Sequence, residues 1–76
     1  MDKVWILETD DGDHFVFKDI EKAKSFAYNL LIKWKYDPQN DEYEIFKELE
    51  ETYENKHWSG FWVDELLWCY EVDFYE

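Results

Sequence analysis

"HWSGFWVDELLWCYEVDFYE" (57–76) is the stretch on which the fold turns, because most of it alternates with a period of two. Leu66, Trp68, Tyr70, Val72 and Phe74 share one parity, and Leu67, Cys69, Glu71, Asp73 and Tyr75 share the other. Successive side chains of a strand point to opposite faces, so the segment predicts a strand. Its even positions are wholly apolar and are expected to build the core, with the carboxylates of Glu71 and Asp73 facing outward. "FWV" (61–63) reads as a short extra strand or as the approach to this one. The same twenty residues carry seven aromatic and five acidic side chains and no Lys or Arg.

Working back toward the N-terminus, "KVWILET" (3–9) and "HFVFKD" (14–19) are rich in β-branched and aromatic residues, and "DDGD" (10–13) separates them. That pattern predicts a hairpin, with Gly12 supplying the positive φ of a tight turn. Asp19 is placed to cap a helix. Beyond it Ile20, Ala23, Phe26, Ala27, Leu30, Leu31 and Trp34 recur at intervals of three and four, one continuous apolar stripe. Pro38 ends that helix and disfavours helical geometry at Asp37. A second helix is expected from Asn40 or Asp41 to about His57, burying Ile45, Phe46, Leu49 and Tyr53, with "SG" (59–60) as its stop. The expected fold is α+β, one domain over residues 1–76, in the order β-β-α-α-β, an antiparallel sheet with two helices packed on one face.

A chain of 76 residues lies near the lower limit for folding on a single core, and its five Trp, six Tyr and six Phe answer that need. Charge narrows the range of functions. The net charge is −12, and it is unevenly spread. Residues 1–36 hold seven acids and six Lys, whereas residues 37–76 hold thirteen acids and two Lys. Such a chain is repelled by anionic membranes and by nucleic acids, where Lys and Arg must displace counterions. It contains no Arg. No run of about 20 apolar residues is present to span a bilayer, and no basic region leads into an apolar one as in a secretory signal. These features predict a cytoplasmic protein.

Catalytic and metal motifs are scarce. The single cysteine, Cys69, excludes an internal disulfide and a cysteine-cluster zinc site. His14 and His57 pair with neither Cys69 nor Ser25 or Ser59 at any catalytic spacing, and two glycines cannot make a phosphate loop. "DDGDH" (10–14) lacks the alternating ligands and terminal Glu of a helix–loop–helix calcium site, so a hairpin turn is the reading. No enzyme activity, cofactor or metal is expected.

Asp41, Glu44, Glu48 and Glu51 would lie within one sector of roughly 80° on a continuous helix, with Glu50 and Glu54 extending the charge toward the neighbouring side. Like charges three and four apart destabilise a helix by roughly 0.2–0.5 kcal/mol each. Lys47 is the only basic residue between 41 and 55. The stripe reads either as a solvated face or as an imitation of a row of phosphates that enters a basic groove. Glu71 and Asp73 are secondary candidates. Trp58, Phe61 and Trp62, around the "SG" break, either cap the core or expose an anchor of the kind that dominates interfaces.

"KVWILET", "FKDIEKAKSFA" and the terminal "LWCYEVDFYE" together resemble small acidic proteins encoded by bacteriophages and prophages. That resemblance implies a role like those of anti-CRISPR and anti-restriction inhibitors and other DNA mimics, blocking a host nucleic-acid-binding protein. It carries over no functional residue.

The expected function is a non-enzymatic acidic protein that inhibits or occupies a basic, nucleic-acid-binding partner. Its partner-binding residues would be Asp41, Glu44, Glu48, Glu51, Glu54, Glu71, Asp73, Trp58 and Trp62. The alternatives are a homodimeric assembly module that associates through aromatic surfaces, and a small-ligand binder.

Overall fold

The computed structural model describes residues 2–54 and 59–74. Its elements are β1 (Asp2–Thr9), β2 (His14–Phe17), α1 (Ile20–Lys33), a 3₁₀ turn (Pro38–Asn40), α2 (Ile45–Glu50), β3 (Tyr53–Glu54), β4 (Ser59–Val63) and β5 (Leu67–Phe74). The strands form one antiparallel sheet in the order β2-β1-β5-β4-β3. The α+β class and the antiparallel sheet with two helices on one face are as the sequence predicts. "FWV" does belong to a separate strand, β4.

The hairpin and the first helix follow their local chemistry. Thr9 and Asp13 close the β1–β2 turn through Thr9 N–H to Asp13 O at 3.0 Å, and Gly12 takes a φ of 93°. The Asp19 carboxylate accepts from Glu21 N–H at 2.8 Å and caps α1. At the other end Lys35, with φ 75°, reverses the chain where a glycine is usual. Its N–H donates to Ile32 O and that of Tyr36 to Leu31 O, at 2.9 and 3.1 Å. These two bonds complete a Schellman motif, and Tyr36 packs against the core beside Leu31.

The second helix is much shorter than its apolar spacing suggests. It runs only from Ile45 to Glu50, because Glu44 sits in the left-handed region at φ 56° and Glu51 is already extended. Asp41 does not enter the helix. Its carboxylate folds over the N-terminus and accepts from Ile45, Phe46 and Lys47 N–H at 2.7, 2.8 and 3.3 Å. Beyond Glu50 lie β-branched Thr52 and aromatic Tyr53, and pairing of Tyr53–Glu54 with Ser59–Gly60 competes for the backbone. "SG" is therefore part of a strand rather than a helix stop.

The parity of the last strand is reversed from the expectation. Leu67 and Cys69 are fully buried, and they pack with Leu7, Phe61, Val63, Ala23, Ala27, Leu31, Ile45, Phe46 and Leu49 under the helices. Trp68, Tyr70 and Val72 lie on the other face, with no described helix over them. Leu, Val, Phe and Cys bring no strong hydrogen-bonding group into the dry layer, and Ala23 and Ala27 let α1 approach closely. Trp68 and Tyr70 carry an N–H and an O–H that need acceptors, which they find in Glu8 on the other side. Burial pushes the Cys69 thiol up to about 12, so it is a core residue.

Gly60 sets the fit of β4 on β5. A Cβ there would stand 1.8 Å from the Cys69 carbonyl oxygen, at a backbone φ of 152°. Both outer strands are short, four residues in β2 and two in β3, which limits the exposed edges.

Candidate interaction surface

Because paired residues share a face, the register gives the open side of the sheet directly. Trp62 pairs with Trp68, Trp68 with Glu8, and Glu8 with His14. These four side chains form one row across β4, β5, β1 and β2, about 14 Å from end to end at the usual strand spacing. The next row contains Tyr53, Gly60, Tyr70, Ile6 and Val16, and the one after it Val72 and Val4. Val16, Trp62 and Tyr53 are 63%, 44% and 38% exposed. Tyr53 stacks on Trp62 with ring centres 4.5 Å apart and planes 20° from parallel.

Glu8 is the carboxylate within the described rows of this face, and its surroundings fix it. Trp68 Nε1–H donates to Oε2 at 2.6 Å, and Tyr70 O–H donates to Oε1 at 2.7 Å. His14 Nε2 lies 2.9 Å from Oε1. The Tyr70 hydroxyl, with help from Trp68 and His14, outweighs partial burial and holds the Glu8 carboxyl below its ordinary range. The same contact raises the Tyr70 phenol above its usual value. The result is an anion of fixed position, 21% exposed, set into an aromatic wall.

The top row borders a rim of acids. Asp10 N–H donates to Leu66 O at 2.9 Å, which ties the β1–β2 turn to the β4–β5 turn. Exposed Asp10, Asp11 and Asp13 therefore stand at the same end of the sheet as exposed Asp64 and Glu65. Among the described residues no lysine pairs with any of them. The Thr9 hydroxyl donates to the Asp11 carboxylate and accepts from Asp13 N–H at 3.1 Å, holding the first turn in shape.

The residues chosen from sequence do not make one ridge. Asp41 is used as the cap of α2. Glu44 is exposed, 3.8 Å from Lys47 of its own helix. Glu48 Oε2 accepts from Asp64 N–H at 3.2 Å and fastens α2 to the acidic turn. Glu51 accepts from the Tyr53 hydroxyl at 2.5 Å, which brings it to the edge of the open face beside Trp62. Glu71 pairs with Lys3 at 3.1 Å on the opposite, helix-bearing side, where Asp73 is exposed next to them. Trp58 and the Glu54 side chain lie outside the described residues. Trp62 and Glu51 thus join the open face. Glu44 and Glu48 remain on α2, and Glu71 and Asp73 are on the other side of the sheet.

Glu8, His14, Trp68 and Tyr70 escape a search by sequence spacing, because they come from three strands. One signal was available: "HFVF" places Phe15 and Phe17 opposite Leu7 and Trp5, so the odd side of β1 is the more apolar one. A hollow of about 330 Å³ also lies between α1 and α2, near Lys24, Tyr28 and Leu49. Lys24 Nζ is committed there to Thr52 Oγ1 at 2.5 Å and Glu50 O at 3.1 Å, a structural clasp. The described residues contain no cluster of metal-ligating side chains, and no described helix is long and apolar enough to cross a membrane. Compared with protein-family models, curated proteins and solved structures, the chain matches none, so its own surface is the guide to its function.

Proposed function

We propose that this chain is a non-enzymatic binding protein that occupies a basic surface on another protein. The observation that carries the reading is the sheet face with no described helix over it, where Trp68 and Tyr70 hold the Glu8 carboxylate, with Trp62 next in the row, beneath an acidic rim. Exposed aromatics beside charge are the usual composition of an interface centre and its surround. The net charge of −12 favours a cationic partner and would speed encounter through steering. Nucleic-acid-handling proteins present such basic surfaces, and occupying one would block its ligand, an anti-defence type of inhibition. Support for phosphate imitation by a regular helical ridge is weaker than the sequence suggests, because α2 spans only six residues.

The test is capture from host lysate at low and high salt, comparing the natural chain with Trp68→Ala, followed by competition with duplex DNA. A retained basic protein that is released by salt, displaced by DNA and lost in the variant supports the reading. Retention indifferent to salt and to Trp68 sinks it. The open face also favours a second reading, a homodimer with two sheets face to face. Sedimentation over a range of concentrations separates the two.

A further inference from the structure

We infer that the partner places arginine side chains on this face, with guanidinium planes over the indoles of Trp62 and Trp68 and an N–H donated to Glu8. The inference rests on the proposed binding role and specifies the chemistry of what is bound.

The top row puts two indoles and then a carboxylate in line across neighbouring strands. A guanidinium suits that sequence of groups. It is planar, weakly hydrated and stacks on aromatic faces while still presenting donors at its edge. A lysine ammonium is compact and strongly hydrated, so it gains less from an indole and loses more on leaving water.

Glu8 has capacity left for such a donor. A carboxylate oxygen offers about two acceptor positions. Oε1 takes Tyr70 and His14, whereas Oε2 takes only Trp68 among the described residues. Because Trp68 and Tyr70 already hold the carboxylate in place, little ordering cost remains when a cation arrives. The acids of the adjoining rim, Asp10, Asp11, Asp13, Asp64 and Glu65, suit further cationic groups on the same segment.

A second copy of the chain cannot supply this group. All eight of its cations are lysines, and two copies would each bring a charge of −12 to the contact. Charge and composition together point to a different, arginine-bearing protein segment.

The experiment uses the full chain, labelled for nuclear magnetic resonance, and two capped peptides that alternate serine with either arginine or lysine. Titration follows the Trp68 and Trp62 indole N–H signals at low salt. The arginine peptide is expected to bind at least about five-fold more tightly than the lysine peptide. Glu8→Gln and Trp62→Leu, each checked by its melting temperature, should remove most of that preference. Asp11→Asn with Glu65→Gln should weaken both peptides alike. Equal affinity of the two peptides at the indole signals overturns the arginine inference and leaves a basic partner standing. No effect of either peptide on the face overturns both. A dimer that buries the indole signals assigns the face to a second copy and likewise overturns it.

Discussion

Glu8 and Gly60 show how much a single residue decides here. Glu8 is the acceptor that lets Trp68 and Tyr70 lie on the face away from the described helices with their polar tips satisfied. Its folded-state acidity is stronger than its ordinary value of 4.5, chiefly through Tyr70. A lowered carboxyl pKa contributes stability that is present above the unfolded value and lost as pH falls through the folded one. The Glu8→Gln variant is therefore expected to flatten the acid side of a plot of melting temperature against pH. An unchanged acid limb would mean that the contact is absent in solution. Gly60 is needed for a different reason, since any side chain meets the β5 backbone at Cys69. Gly60→Ala must open the β4–β5 pairing and is expected to cost about 3 kcal/mol or more, read by urea unfolding.

Among the elements, the two helices differ in what maintains them. α1 has a stripe, an N-cap and a Schellman end; the stripe and the cap are legible in the sequence, whereas the stop expected at Pro38 in fact falls at Lys35. Lys35 carries the left-handed turn that ends it, so Lys35→Gly should raise stability by about 1 kcal/mol in thermal or chemical unfolding. α2 is too short to persist by itself. Asp41 satisfies its first N–H groups, and Ile45, Phe46 and Leu49 bury its inner side. Asp41→Ala is expected to lose about 1–2 kcal/mol, visible as a lower urea midpoint. Glu44→Lys, at an exposed position with no such bond, should leave the midpoint nearly unchanged. The sequence showed the acidic spacing of 41–51 but not that Asp41 folds back as a cap. A carboxylate on a continuous helix and one folded over a helix end share the same letters.

At the scale of the whole molecule, one sheet separates two different chemistries. The helix-covered side is dry and contains the fully buried Phe61, Leu7, Leu31, Leu67, Val63 and Cys69. Modification of the Cys69 thiol should therefore be limited by unfolding, because burial both hides it and pushes its pKa up to about 12. Labelling by a thiol reagent should slow in parallel with stability, and rapid labelling of the native chain would contradict the core. The other side gathers aromatic groups around Glu8, with the acidic turns along its end. Self-repulsion among twenty acids and eight lysines should make the melting temperature rise with added salt, as screening shortens the range of repulsion to about 10 Å or less.

The sequence alone determined the hairpin, the first helix with its cap, the class of the fold and the strong negative charge, because each depends on neighbours within a few positions. Period two in the last strand established that it has two faces. The expectation that its even positions face the helices was wrong. Leu67 and Cys69 are as apolar as Trp68 and Val72, and the pattern within one strand does not rank its two faces. Only the tertiary structure decided that, by bringing Phe61, Val63, Leu7 and the alanines of α1 onto the odd side. The same choice left the residues with polar tips around Glu8 on the even side. Contacts between strands far apart in the chain made the surface, and spacing along the chain cannot encode which strands become neighbours.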